Sequence, residues 1–447
     1  MHVAVLGGGI GGLALTYELQ QLDCEVSLFE AADQLGGLGS TFEFGDIRAE
    51  RFYHFICRPD TDYLDQLARF GLKDRIEWVT ARMGNYVEGR IHEWGTPSSL
   101  LRYPHLSLLQ KMRYGAHALR CKYSDSWSKL DDVSARRWLI RWLGESCYQH
   151  MWAPLLEDKF GQEAESISAA WLWSRIRRVA RSKNLRMQDE YGYLRGGTGT
   201  LLDAYIEAIR ERGANIHMNS PIARIEHADG RVRGLRVAPG ASSSSASVEP
   251  ATAGLLEFDA VASTLPIPIA RELVDGLEAG YRHQLAQMRQ VGVVCTLLKL
   301  SARLSDMFWI NVHDEDAPLL GILEFTNLVS PTEFNGHHLV YLPLYLNPED
   351  PRFSMPDDEL IEHHLGMIGT LFPHFDRENV IDHRVFRAKL AQPVCFTGFR
   401  RALPPVETPV RGLFISDTSH YYPEDRSISQ GIGLAKSTAR MIVEQLA

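Results

Sequence analysis

The chain has 447 residues, of which 45% are hydrophobic and 23% are charged, a balance typical of folded globular proteins. This length exceeds what one ordinary hydrophobic core needs, so two domains are expected. The formal net charge of −9 disfavours nucleic acid as a partner, because phosphate backbones attract basic surfaces.

The sequence contains no apolar stretch near eighteen residues, so no membrane-spanning helix is predicted. The apolar run at Val3 lacks the basic residues and cleavage site of a secretory signal. The six cysteines are scattered without a C-x-x-C pair, a pattern typical of reduced thiols. The histidine pairs 337–338 and 363–364 have no partners at ligand spacing, so no metal site is predicted. We therefore expect a cytoplasmic protein.

The chain opens with a strand, a glycine loop and a helix. Residues 2–6 (HVAVL) are predicted to form a buried parallel strand, followed by the pattern G-x-G-x-x-G. Gly7 permits the tight turn, Gly9 lets the backbone approach a pyrophosphate, and Gly12 lets the next helix pack closely. The N–H groups and dipole of that helix, predicted over residues 13–22, then bind the phosphates.

A second predicted strand, residues 25–30, ends on Glu30, whose carboxylate is placed to accept hydrogen bonds from ribose hydroxyls. A second glycine cluster follows in residues 31–41, and NAD-binding enzymes generally do not need it. A similar segment in flavoproteins of the glutathione-reductase-like class wraps the pyrophosphate and the ribityl chain. The residues suited to this role here are Gly36, Gly37, Ser40 and Thr41. The alternative is a plain glycine turn, but the pattern favours FAD over NAD.

The far end of the chain carries residues that suit the flavin itself. A predicted strand, residues 412–417, ends in Asp417, whose carboxylate suits a hydrogen bond to a ribityl chain or a phosphate-bound water. Ser427 and Gly431 lie at the start of a predicted helix that runs to about residue 445. Backbone N–H groups at such a helix start stabilise negative charge on the N1/O2 side of a reduced flavin.

Four blocks of sequence together resemble the FAD-dependent amine-oxidase superfamily: residues 3–41, 196–201, 219–225 and 412–435. The superfamily includes protoporphyrinogen oxidases and phytoene-desaturase-like enzymes and, more distantly, UDP-galactopyranose mutases. The segment YPEDR before the last helix is similar to that of bacterial FAD-dependent oxidoreductases. The resemblance implies an α/β fold, with a Rossmann-like FAD-binding domain of glutathione-reductase-like type interleaved with a mixed α+β substrate domain. It also implies that the backbone of Ile222 binds adenine.

The resemblance divides the chain into interleaved segments. The FAD-binding domain is expected to comprise residues 1–50, 195–267 and 391–447. The substrate domain is expected to comprise residues 51–194 and 268–390. Many amine oxidases hold their flavin through a cysteine near the C-terminal motif, but no cysteine follows Cys395, so non-covalent FAD is expected. The low-complexity residues 241–253 are interpreted as a hairpin tip without function.

Two short segments are candidates for contact with substrate. Tyr53 and His54 follow the second glycine cluster, where either side chain suits substrate binding or proton transfer. The alternative is that both belong to the core. Tyr422 is placed to wall the flavin face, and Arg426 to bind an anionic substrate group or the reduced flavin, unless this loop is purely structural. Lys299 is the candidate by chain order for the family's flavin-facing lysine, although an ordinary edge lysine also fits.

Residues 100–122 combine apolar side chains with basic ones in a protein that is acidic overall. Relatives that act on lipids or porphyrins place a comparable region in the membrane surface. Apolar and basic residues together suit a helix lying on anionic lipid, so peripheral contact with the inner membrane is one hypothesis. The alternative is an amphipathic helix packed on its own domain.

The predicted function is that of an FAD-dependent oxidase or desaturase, which accepts a hydride from a small or lipid-like organic substrate. A second hypothesis is a non-redox sugar-nucleotide mutase similar to UDP-galactopyranose mutase. In that case Arg175 and Arg178 would bind a pyrophosphate. A third hypothesis is a flavin-dependent structural or assembly factor without enzymatic activity.

Overall fold

The computed structural model describes residues 1–238, 254–313 and 319–447, and the predicted hairpin tip at 241–253 lies outside them. The strands are β1 His2–Leu6, β2 Glu25–Phe29, β3 Thr41–Phe44, β4 Ile47–Glu50, β5 Ile76–Thr80, β6 Met83–Val87, β7 Arg90–Trp94, β8 Glu190–Leu194, β9 Asn215–His217, β10 Ile222–Ala228, β11 Arg231–Val237, β12 Leu256–Glu257, β13 Ala260–Ser263, β14 Gln290–Leu300, β15 Trp309–Val312, β16 Gly321–Glu324, β17 His338–Leu346, β18 Val380–Pro393 and β19 Leu413–Ile415. The helices are α1 Ile10–Gln21, α2 Thr61–Arg69, α3 Pro97–Arg102, α4 Leu108–Tyr123, α5 Ala135–Leu143, α6 Glu145–Met151, α7 Ala153–Phe160, α8 Ala169–Arg181, α9 Gly197–Glu211, α10 Ile267–Ala270, α11 Ala279–Gln287, α12 Asp357–Leu371, α13 Phe399–Ala402 and α14 Ile428–Leu446.

A parallel sheet has the strand order β19-β13-β1-β2-β9. Parallel sheets are covered on both faces, which explains why β1 is apolar at successive positions. Val3 and Val5 belong to one hydrophobic cluster, and Ala4 and Leu6 to another on the opposite face. All five strands come from the three segments predicted to bind FAD. On one side of β1 lie β2 and then β9, and on the other side lie β13 and then β19. The strand order therefore reverses between β1 and β13, which makes this the topological switch point of the sheet.

The second large sheet has the order β18-β14-β17-β16-β15-β6-β7 and is antiparallel except between β15 and β6. Its strands come from the segments predicted for the substrate domain, and β18 extends three residues beyond them to Pro393. Helix α12 covers one face of this sheet, where Leu365 and Ile368 pack with Leu298 of β14.

Helices α3 to α8 form a bundle beside the second sheet, with Trp138, Leu139 and Trp171 in its core. The bundle is joined to the C-terminal segment by the Ser168 N–H, which donates to the Cys395 carbonyl at 2.8 Å. Among the helices of the described ranges, none has both the length and the apolarity to cross a bilayer.

Candidate active site between the two sheets

A cavity of about 700 Å³ lies between the two large sheets. On one side it is lined by residues that directly follow β1, β13 and β19, including Gly7, Thr264 and Ser416. On the other side it is lined by Val293 of β14 and Tyr345 of β17. This is where α/β sheets bind ligands, beyond the carboxyl ends of strands at a switch point. The volume suits a small organic molecule or cofactor.

The start of α1 forms one end of this cavity. A Cβ atom at Gly12 would collide with the Gly7 carbonyl oxygen, so the close approach of α1 to β1 requires glycine there. No side chain forms a capping hydrogen bond at Gly9, the residue before the helix. The space beside Gly11 is also open, because a Cβ atom added there would meet no described atom within 4 Å. The N–H groups at the start of α1 therefore face open space, which fits a bound phosphate.

The second glycine cluster lies against the first. The Gly36 N–H donates to the Gly8 carbonyl at 2.8 Å, and both Gly36 and Gly37 line the cavity. Ser40 and Thr41 do not belong to the cavity lining. Thr41 Oγ1 accepts a hydrogen bond from Arg48, whereas Ser40 Oγ is buried without a partner among the described residues. The structure therefore brings the predicted glycines, but not the two hydroxyls, to the cavity surface.

Glu30 lies at the cavity edge at the end of β2. Its Oε2 atom accepts from the Gly8 N–H at 2.6 Å and its Oε1 atom from the Ala32 N–H at 2.8 Å. The Glu30 carbonyl also accepts from the Ser220 N–H at 2.8 Å, which holds the start of β10 beside this carboxylate. Ile222 is therefore close in the fold, although it is not part of the cavity lining.

Asp417, Ser427 and Gly431 all line the cavity. The Asp417 carboxylate accepts hydrogen bonds from the Ile267 N–H at 2.8 Å and the Gln290 amide at 2.9 Å. It thereby joins β19 to α10 and to β14. Ser427 caps α14 by accepting from the Gln430 N–H, and the start of α14 lies at the cavity.

Tyr53 and His54 also line the cavity. The Tyr53 ring contacts Trp309 edge-on, with centroids 5.6 Å apart, and burial raises the pKa of its hydroxyl well above the usual value. His54 Nδ1 lies 2.8 Å from Glu50 Oε2, and the other oxygen of Glu50 accepts from the Thr198 N–H at 2.8 Å. The Glu50 carboxylate, fixed at the start of α9, thus orients the His54 ring.

The placement of Tyr422 differs from the prediction. Its hydroxyl lies 2.7 Å from Ser168 Oγ and donates to the Asp131 carboxylate. These partners on the helical bundle satisfy a hydroxyl that would otherwise be buried unpaired, and they hold the ring away from the cavity. The neighbouring Tyr421 lines the cavity instead. Its hydroxyl packs closely against Gly431 in the first turn of α14, because a Cβ atom added at Gly431 would lie only 2.9 Å from it.

The placement of Lys299 matches neither alternative considered from the sequence, because this lysine is buried on a central strand of the second sheet. Its ammonium group donates to the Phe44 carbonyl at 3.0 Å and to Asp46 at 3.2 Å, in the turn between β3 and β4. Lys299 is outside the cavity lining. Lys299 and the cavity-lining Cys295 are on the same face of β14, but four residues of extended strand separate them by about 13 Å.

Sequence reasoning missed a lysine that does line the cavity, Lys159 of α7. Its side chain is 7% exposed, and its nearest carboxylate oxygen belongs to Asp425, 4.0 Å away. Asp425 accepts from Arg175 at 2.6 Å and from the Trp171 indole at 3.3 Å. The YPEDR segment was the only part of this cluster that the sequence indicated. The other members of the cluster lie more than two hundred residues earlier in the chain, so no local pattern connects them with Asp425.

The two arginines considered for a pyrophosphate already have carboxylate partners. Arg178 binds both oxygens of Asp60, at 2.9 and 2.7 Å, and Arg175 binds Asp425. Arg426 differs from them, since it donates to the Ala391 carbonyl at 2.7 Å and to the Tyr345 hydroxyl. Within the described ranges, no group of three or more His, Cys, Asp or Glu is arranged to hold a metal ion.

Comparison with known proteins gives a consistent result. The chain matches the family described as flavin containing amine oxidoreductase over residues 10–424. Coproporphyrinogen III oxidase from Mycobacterium tuberculosis (strain ATCC 25618 / H37Rv) is 41% identical over 96 residues, which are 20% of each chain. The zeta-carotene-forming phytoene desaturase of Myxococcus xanthus is 24% identical over 296 residues, or 61% of this chain and 54% of that relative. Both alignments thus span less than two thirds of the relative.

Similarity of fold extends over nearly the whole chain. The reduced UDP-galactopyranose mutase structure matches with a TM-score of 0.75 at 14% sequence identity, covering 99% of this chain and 95% of that one. These findings confirm the predicted α/β fold and the predicted superfamily. The chain therefore belongs to the flavin-containing amine oxidoreductase family.

Proposed function

We propose that the protein binds FAD non-covalently and uses it to accept a hydride from an organic substrate held against the seven-stranded sheet. The continuity of the cavity carries this proposal. One space connects the start of α1, the start of α14 and the apolar side chains of the second sheet. A dinucleotide at the first two elements would therefore place its flavin ring beside the third.

The residues present fit FAD group by group. The uncapped start of α1 suits the pyrophosphate, Glu30 suits the ribose, and the start of α14 suits the N1/O2 edge of the flavin. A thiol that lines the cavity, Cys295, has its pKa raised by burial to about 12, which keeps it protonated and a poor nucleophile. Together with the lack of any cysteine after Cys395, this supports non-covalent binding.

When bound, the flavin supplies an acceptor for the hydride and its two electrons. The protein's part is to position the substrate and to keep water away from it. Val293, Trp309 and Leu320 provide an apolar wall for this purpose. The Tyr53 hydroxyl stays neutral because burial raises its pKa, so it is available as a hydrogen-bond donor. His54, oriented by Glu50, is the group placed to exchange a proton with the substrate.

Absorbance spectroscopy of the purified protein tests this proposal. We expect a yellow protein that releases intact FAD on heating, and flavin bleaching under nitrogen when a substrate is added. A colourless protein that FAD fails to reconstitute would contradict the proposal. Activity that appears only after dithionite reduction, without consumption of an acceptor, would support the mutase hypothesis instead.

We also propose that α3 and α4 contact an anionic membrane surface. Six large apolar side chains are exposed there: Leu101, Leu108, Leu109, Met112, Leu119 and Tyr123, each at least 49% exposed. At about 100° per residue, those of α4 form a stripe on the side opposite the buried His117 and Cys121. Lys111 and Lys122 flank one edge of this stripe, and Arg113 and Arg120 flank the other. Such an arrangement suits a helix lying in a lipid interface.

Co-sedimentation with vesicles of phosphatidylcholine and phosphatidylglycerol tests the lipid contact. We expect the wild-type protein to bind vesicles containing phosphatidylglycerol, and the double change Leu108→Ser with Met112→Ser to weaken binding strongly. The change Leu185→Ser removes an exposed leucine from elsewhere on the surface and serves as the control. Binding that is unaffected by replacing Lys111 and Arg120 with Gln would contradict the proposal.

A further inference from the structure

Three cations and one carboxylate meet at one end of the cavity. Lys159, Arg175, Asp425 and Arg426 all line it, so their formal charges leave an excess of two positive charges. This excess is local, because the chain as a whole has a net charge of −9. Buried charges normally occur in balanced pairs, so an unbalanced group in a cavity indicates that a ligand supplies the missing charge.

Lys159 is the more deeply buried of the two cations that lack a close carboxylate. Its ammonium group can donate three hydrogen bonds, yet it makes none with the described residues, and the Asp425 oxygen at 4.0 Å is too distant. The rings of Trp171 and Tyr345 lie 5.1 and 5.0 Å from the ammonium group. Burial opposes the charged form of Lys159 and lowers its pKa well below the usual 10.5, so a bound anion would favour the charged form again. An incoming anion would therefore find unused donors in a poorly hydrated site.

Arg426 is the second such cation. Its guanidinium donates to a backbone carbonyl and a tyrosine hydroxyl, and across the described ranges no carboxylate oxygen lies within 4.0 Å of its nitrogens. Arg175, in contrast, is paired with Asp425, and Arg178 with Asp60. Lys159 and Arg426 are thus the donors with remaining capacity. Both are close to Tyr345, which joins them to the wall of the second sheet.

We propose that the substrate carries an oxyanion, a carboxylate or a phosphate, which binds to Lys159 and Arg426 while its apolar body lies along Val293 and Trp309. The inference rests on the proposed function, which places that apolar body beside the flavin. It also predicts selectivity, because a protonated amine brought to the same end of the cavity would be repelled by the excess positive charge. The oxyanion thus fixes which end of the substrate lies against Lys159 and Arg426.

Titration of the purified holoprotein with four small probes tests this proposal. Benzoate, phenyl phosphate, benzyl alcohol and benzylamine share one ring and differ in charge, and binding is followed by tryptophan fluorescence and flavin absorbance. We expect at least one anion to bind about tenfold more tightly than the alcohol and the amine. Lys159→Met should weaken anion binding about 10- to 100-fold and leave the alcohol unchanged, because it removes charged hydrogen bonds.

Two further variants make the result specific. Lys159→Arg keeps the charge and should retain most of the anion affinity. Lys299→Met removes a comparably buried lysine outside the cavity and should leave all four affinities unchanged. The proposal is overturned if Lys159→Met binds the anions within about twofold of wild type, or if it weakens the alcohol equally. The fluorescence signal does not require flavin, so a failure of anion binding is distinguishable from a failure to bind FAD.

Discussion

The two walls of the cavity are built in different ways. The wall at the parallel sheet is made mostly of backbone, with glycines and helix starts that present N–H groups within short, contiguous segments. The wall at the second sheet and the helical bundle is made of side chains contributed by elements far apart in the chain. A wall of backbone suits a ligand that never changes, and a wall of side chains can be altered one residue at a time.

If the parallel-sheet wall depends on close backbone packing, Gly12→Ala should have the largest effect. The new Cβ would collide with the Gly7 carbonyl oxygen, so we expect loss of bound flavin and of most soluble protein. Gly11→Ala is the matched control, because its Cβ meets no described atom within 4 Å. The control should keep the melting temperature of the flavin-free protein. Equal behaviour of the two variants would contradict the backbone account.

Asp425→Asn should have the next largest effect, on the wall of side chains. It removes the carboxylate that binds Arg175 and lies near Lys159, leaving buried cations unbalanced. We expect the free energy of unfolding to fall by about 3–5 kcal/mol in urea denaturation. Asp132→Asn breaks the exposed ion pair with Arg401 and should leave the free energy of unfolding almost unchanged, because water and salt screen such pairs. A cost for Asp425→Asn as small as that of the control would show that the cluster is not electrostatically coupled.

Part of the acid sensitivity of the protein should come from a buried histidine on the second sheet. Burial lowers the pKa of His364, which packs on the second sheet, from 6.5 to about 3. Protons therefore bind this histidine more readily in the unfolded chain than in the folded one. The contribution of the neutral His364 to the free energy of unfolding is fully present above pH 6.5 and is lost as the pH falls toward 3. At pH 5 the loss is about 2 kcal/mol.

His364→Gln should remove this part of the acid sensitivity, as measured by urea denaturation at pH 5 and pH 8. The neighbouring His363 is exposed, so His363→Gln should keep the wild-type pH dependence. If both variants lose stability in acid to the same extent as wild type, the buried imidazole is not its source.

Glu30→Gln should have the smallest effect. It changes one side chain in the parallel-sheet wall, where backbone N–H groups are expected to make most of the contacts with the cofactor. The amide replaces a carboxylate that accepts from the Gly8 and Ala32 N–H groups and faces the cavity. We expect FAD affinity to fall about tenfold, measured by fluorescence during flavin release. An unchanged affinity would indicate that the ribose is held by backbone alone.

The same contrast explains what the sequence predicts well. The glycines of residues 7–12 and the start of α14 act through local backbone geometry, which short patterns encode directly. Lys159 and Asp425 are brought together only by the packing of α7 against the loop before α14, so no spacing rule identifies them. Tyr421 and Tyr422 show the limit of local reasoning, since adjacent residues of one type have opposite surroundings.

The order of the parallel sheet also bears on how the protein is made. Gly7 and Gly431 line the same cavity, and α14 packs directly against α1. A chain still emerging from the ribosome has its first glycine loop long before the last helix exists. Under the proposed function, the flavin pocket is then open along its C-terminal side, and we expect cofactor uptake to follow translation. We therefore expect a chain from which a protease has removed the final helix to lose its cofactor.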